Sequence, residues 1–135
     1  MIFDTNFIIH HIRQQQPLPS QVVIPMVVVG ELKAFALKSD WGYQKVTFLQ
    51  SLINYYPLID ISIELIDLYA EIDAYSQGKL RSKPLPEGLS SRNMDKNDLW
   101  IATTALYFNF PLYTTDSDFD HLSTYGLQLK KPEGI

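Results

Sequence analysis

The chain contains no cysteine, so neither disulfides nor cysteine-ligated zinc can hold it together, and nothing in it asks for an oxidising compartment. It lacks any apolar run approaching the about 18 residues that a membrane span needs, and no membrane association is expected. The opening Met1-Ile2-Phe3-Asp4 has no basic region followed by a long apolar stretch, which argues against a secretory leader and for a cytoplasmic location. An excess of cations is missing too. With 11 Lys and Arg against 15 Asp and Glu, the net charge is −4, which excludes a protein gripping nucleic acid over its whole surface but leaves room for a local basic patch. Internal repeats and low-complexity segments are also absent.

What is present is ordinary for a globular protein: 135 residues, 46% hydrophobic and 19% charged, enough for a single domain over residues 1–135 that buries about two thirds of its unfolded surface. Short apolar runs at residues 1–3, 22–24, 58–61, 112–115 and 127–129 predict strands. Between them, helical spacing predicts helices over 5–13, 25–37, 43–56, 63–76, 96–108 and 119–125, with Pro25 in a first turn and Gly78 as a stop. Residues 79–96 predict a loop. Strands alternating with helices imply an α/β fold, a three-layer α/β/α arrangement with a mainly parallel central sheet flanked by helices.

Four carboxylates stand out by position. Asp4 ends the first strand, Asp116 follows the strand at 112–115, and Asp98 sits in the first turn of the helix after the loop. In an open parallel sheet, ligands bind beyond the carboxyl ends of the strands, where Asp4 and Asp116 fall. Glu31 has Val27, Val28, Ala34 and Phe35 as helical neighbours, so it is expected on a core-facing stripe, where an ionised group needs a partner. Asp98 repeats the pattern with Ile101, Ala102 and Ala105. Each acid also has a plainer reading: Asp4 and Asp116 as helix caps, Asp98 as a favourable first-turn charge, Glu31 as a half-exposed residue. Taken together, four such coincidences are less economical than one site.

Converging carboxylates repel unless a cation neutralises them. Oxygen-only donors suit Mg²⁺ or Mn²⁺. Such an ion activates water and stabilises phosphoryl charge, so phosphodiester hydrolysis needs no protein nucleophile. Other signals fail. The run Asp116, Asp118, Asp120 is followed by His121 rather than the glycine of a calcium loop. Gly78-Lys79 lacks the pattern of a phosphate loop. His10, His11 and His121 read as surface or helix-end residues. Tyr55, Tyr56, Tyr69 and Tyr75 read as packing rather than base stacking, and Phe35 and Trp100 as core.

The chain resembles PIN domains, and most closely the VapC-type toxin ribonucleases. The resemblance rests on Phe3-Asp4-Thr5-Asn6, Val28-Val29-Gly30-Glu31-Leu32, Asn97-Asp98-Leu99-Trp100-Ile101-Ala102 and Thr114-Thr115-Asp116-Ser117-Asp118-Phe119, four segments in the family's order. It implies a divalent metal, endonucleolytic cleavage of RNA, Asp4, Asp98 and Asp116 as ligands, and Glu31 binding metal or orienting water. Asn6 and Thr114 would be polar neighbours, with Asp118 outside them. It also implies a homodimer held in check by a cognate antitoxin protein.

The chain departs from simple members of that family in its long connection at 79–96. This segment carries Lys79, Arg81, Lys83, Arg92 and Lys96 against Glu87 and Asp95. Arg81 and Lys83 are candidate contacts to RNA phosphates, although a solvated loop reads the same way. Two other roles stay open: a stand-alone RNA-processing nuclease, and a non-catalytic module binding nucleic acid or protein.

Overall fold

The computed structural model of the protein describes residues 1–132; the single-domain expectation runs on to 133–135, which lie outside the described residues. The first strand, β1 (Ile2–Phe3), passes at Asp4 into α1 (Thr5–Arg13). Then come β2 (Ile24–Pro25), α2 (Met26–Lys38), α3 (Tyr43–Tyr55) and β3 (Leu58–Ile59). A 3₁₀ turn at Ile63–Leu65 leads into α4 (Ile66–Ser76), and the long loop ends at α5 (Lys96–Phe108). The chain finishes with β4 (Leu112–Tyr113), a 3₁₀ segment (Ser117–Thr124) and β5 (Leu129–Lys130).

All strand pairs are parallel. One sheet has the order β1-β4-β5, another pairs β2 with β3. A parallel bridge between Ile2 and Val23 joins them, so the strands run 3-2-1-4-5 across the molecule. The predicted strand at 22–24 is shifted by its two neighbours. Val23 N–H donates to the Met1 carbonyl, whereas Ile24 N–H donates to that of Pro57. Alternate residues thus face opposite partners, and only Ile24–Pro25 counts as a strand. Pro25, with no N–H to give, caps α2 rather than joining its first turn.

The core follows the helical periodicity. Phe7, Ile8, Ile9 and Ile12 form the buried face of α1, and Leu99, Ile101, Ala102 and Ala105 that of α5. They close over Ile2, Ile24 and Leu112 on the strands. Among the described residues no helix is long and apolar enough to cross a membrane.

Two packing expectations are corrected. His121 is buried rather than superficial, its Nε2 2.7 Å from Ser76 Oγ. Burial, with Arg92 nearby, lowers its pKa. Tyr55 is exposed, Phe35 and Trp100 are half-buried, and Trp100 stacks on Tyr69 with centroids 4.0 Å apart.

Candidate metal centre

Strand order 3-2-1-4-5 makes the chain turn in opposite directions after β1 and β4, and the crevice beyond the carboxyl ends of such neighbours is where α/β sheets bind ligands. Here that crevice is a cleft of about 640 Å³ whose lining includes Asp4, Asn6, Glu31, Asp98 and Asp116. The structure therefore brings together all four carboxylates singled out in the sequence, from positions 112 residues apart at the extremes (116 − 4).

The site is built by short local contacts. Asp4 caps α1, accepting from Thr5 N–H at Oδ1 (2.7 Å), and accepts from the Thr114 hydroxyl at Oδ2 (2.9 Å). Thr114, fully buried beyond β4, also accepts from Asp116 N–H at 2.9 Å. The Thr5 hydroxyl donates to Glu31 Oε1 at 2.6 Å, tying α1 to α2. Asp116 in turn caps the 3₁₀ segment by accepting from Asp118 N–H (2.9 Å). The capping and site readings of these acids are thus compatible. A cap occupies part of one carboxylate, and the remaining lone pairs stay open to the cleft.

Glu31 departs from expectation. It is half-buried, and its stripe does not face a dry core. Val27, Ala34 and Phe35 line the cleft with it, so an apolar stripe marks a cavity wall rather than packed interior.

Electrostatics set Asp98 apart. Burial raises its pKa to about 7, and the nearby Asp4, Asp95, Asp116 and Glu31 push the same way. Asp4 is raised too, chiefly by burial, but the hydrogen bonds from Thr114 and Thr5 oppose the shift. Asp98, Asp116 and Asp118 each offer an oxygen within 4.8 Å of the others. This draws Asp118 closer to the centre than its expected outer position. The donor set fits a hard divalent ion. It is all oxygen, crowded with like charge, and includes a half-buried acid on which every acting influence disfavours ionisation.

Arg81 and Lys83 do not line this cleft. Lys83 stacks its ammonium on the Tyr125 ring, 4.2 Å from the centroid, and Arg81 is exposed. Arg92 of the same loop does approach, with Nη1 3.2 Å from Asp118 Oδ1. Several residues of the cleft had no role assigned from sequence, Asp95, Lys38 and Thr5 among them. Asp95 caps α5, accepting from Asn97 N–H. Lys38 reaches the cleft from the end of α2. Thr5 holds Glu31. An acid three residues before Asp98, at a helix start, was a legible signal for the first; nothing local marks the other two.

The sequence profile of the PIN domain matches residues 1–124. No curated protein gives a significant sequence match. Among solved structures, FitAcB from Neisseria gonorrhoeae superposes with a TM-score of 0.73 at 19% identity, covering 99% of both chains. VapBC2 from Rickettsia felis, bound to a DNA fragment from its promoter, gives 0.69 at 23% identity, over 96% of this chain and 98% of that one. VapBC-1 from nontypeable Haemophilus influenzae gives 0.63 at 25% identity, over 97% and 98%.

Proposed function

The chain belongs to the PIN-domain family, and from that premise we propose that it is an Mg²⁺-dependent endoribonuclease, Mn²⁺ also serving, and the toxin of a toxin–antitoxin pair. The observation that carries this reading is the meeting of Asp4, Glu31, Asp98 and Asp116 in one cleft, with Asp98 left without a compensating partner. Solved chains of the same fold come from a toxin–antitoxin complex and from the VapBC family of toxin–antitoxin systems, which supports an antitoxin protein as partner. A homodimer and a cytoplasmic location complete the proposal.

Asp4, Asp98 and Asp116 would hold the ion, with Asp118 beside them. When bound, it supplies an activated water and offsets charge on the phosphoryl oxygens and leaving group. The chain's own groups do the rest. Thr114 and the Thr5 amide fix both oxygens of Asp4, which sets the direction of its free lone pairs. Thr5 holds Glu31 by Oε1, leaving Oε2 to orient the attacking water and take its proton. Asn6, exposed at the rim, is placed to donate to the substrate. Arg92 pairs with Asp118 and Lys38 lines the cleft further along α2; both would neutralise neighbouring phosphates, with Arg81 and Lys83 as outer contacts along the loop.

The test is cleavage of single-stranded RNA by the purified protein with Mg²⁺, with Mn²⁺ and with EDTA. Cleavage should require metal, and Asp98→Asn should lower it by roughly 100-fold or more, the scale of a lost catalytic group, with the fold retained by circular dichroism. Metal-independent cleavage, or an Asp98→Asn variant as active as wild type, would refute the assignment. Absence of any cleavage together with absence of calorimetric metal binding would favour the binding-module role.

A further inference from the structure

One wall of the cleft is chemically unlike the other. Around Glu31, α2 lines the cleft with Val27, Gly30, Ala34 and Phe35, with Lys38 one turn further on, whereas Asp4, Asp98 and Asp116 come from other elements. These positions recur at intervals of three and four residues, so they form one continuous strip of the helix. The strip is open to solvent. Gly30 and Ala34 are exposed, and Val27 and Phe35 half-buried.

Gly30 is the telling residue. It sits inside a helix, where glycine costs about 1 kcal/mol relative to alanine. Its φ is not in the left-handed region, and a Cβ added there would meet nothing within 4 Å. Neither backbone conformation nor packing therefore calls for glycine. What its missing side chain leaves is room in the cleft, directly beside Glu31.

We propose that this strip is a nucleobase subsite. It takes one unstacked base of a single strand whose phosphodiester lies at the carboxylates, with Phe35 contacting the base and Lys38 the next phosphate. The inference rests on the nuclease reading above. A strand anchored at the acids must place a base beside its phosphate, and among the described residues α2 supplies most of the apolar lining of the cleft, with Ile9 of α1 adding to it. Phe35 is held for the role. Its ring packs edge-on against Trp41, with centroids 5.6 Å apart, and the Arg13 guanidinium covers it at 5.5 Å. From Glu31 to Lys38 the helix rises about 10 Å, so the strip is long enough for a base with its following phosphate. Stacking on an aromatic side chain tolerates any base, so the subsite selects single strands over duplexes rather than one sequence.

The space at Gly30 provides a clean probe. Gly30→Leu should fill the strip without disturbing the fold, and its melting temperature should match or exceed that of wild type. KM for a short single-stranded RNA in Mn²⁺ should rise by about tenfold, the scale of one base–aromatic contact, with a smaller change in kcat. Gly30→Ala should lie between. Replacing the nucleotide on one side of the mapped cut by an abasic residue should raise KM for wild type but add little in Gly30→Leu, because both changes remove the same contact. Wild type that cleaves while remaining indifferent to Gly30→Leu and to the abasic residue overturns this proposal alone. That is also the outcome expected if the strip seats an inhibitory peptide instead of a base. Wild type that does not cleave overturns the nuclease reading and this inference with it.

Discussion

At the residue scale, Asp98 shows how burial turns a common side chain into a sensitive one. Folded, it keeps its proton up to about pH 7, whereas in an unfolded chain an aspartate releases it near pH 4. Between those values the folded state binds more protons than the unfolded state, so its contribution to stability falls as pH rises. His121 acts in the opposite sense, since its pKa is lowered on folding. A comparison of variants therefore isolates the aspartate. Protein stripped with EDTA should melt at a lower temperature at pH 8 than at pH 5 by a larger margin than its Asp98→Asn variant does, and saturating Mn²⁺ should narrow the wild-type gap. A wild type and variant with the same pH dependence would show that Asp98 is not strained by its neighbours. The acids were legible in the sequence because their positions break a pattern: Asp98 shares its stripe with the buried Ile101 and Ala102. Glu31 does line the cleft, but its stripe is not the dry core face expected, because an apolar stripe reads the same whether it faces a packed core or an open cleft.

At the element scale, most helices were legible to within a residue or two, though the one expected at 63–76 opens with a 3₁₀ turn and the one expected at 119–125 is a 3₁₀ segment at Ser117–Thr124; the strands were less so. Helix periodicity is a local property, as in α1 and α5. Each strand contributes only two residues to a ladder, so its extent depends on which neighbours lie alongside, and that is set by distant segments such as Pro57 beside Ile24. Helix ends are governed by single residues. Asn109 terminates α5 in the left-handed conformation at φ 57°, and its Oδ1 also accepts from Gln128 Nε2 at 2.7 Å. Asn109→Val should destabilise the protein by about 1–2 kcal/mol, the penalty for a branched residue in that conformation. Asn109→Gly should cost less. Urea titration would check both, and a tolerated valine would contradict the capping role.

At the scale of the whole molecule, the alternation of strands and helices foretold a parallel α/β fold. It did not foretell the order 3-2-1-4-5, which decides that β1 and β4 are neighbours and hence that Asp4 and Asp116 meet. The overall charge of −4 bears on substrate binding as well. Few cations stand at the acidic cleft: Lys38 lines it, Arg92 pairs with Asp118, and Lys131 is held by Asp120 beside Asp116, so the affinity for single-stranded RNA should depend weakly on salt. Lys38 and Arg92 alone, at about 0.7 each, give a slope of log K against log salt of about −1.4, and engagement of Arg81 and Lys83 as well would bring it to about −2.8. A slope well beyond about −2.8, measured by fluorescence anisotropy, would contradict so small a set of phosphate contacts.

The long loop has one more consequence, for the way the chain could be divided. Gly88 lies within it, exposed and at φ 88°. A break there would leave Asp4 and Glu31 on one fragment and Asp98 and Asp116 on the other, with α4 against α5 and β1 beside β4 spanning the cut. Neither half would own a complete set of carboxylates, so any activity that depends on all four would belong to the reassembled pair alone.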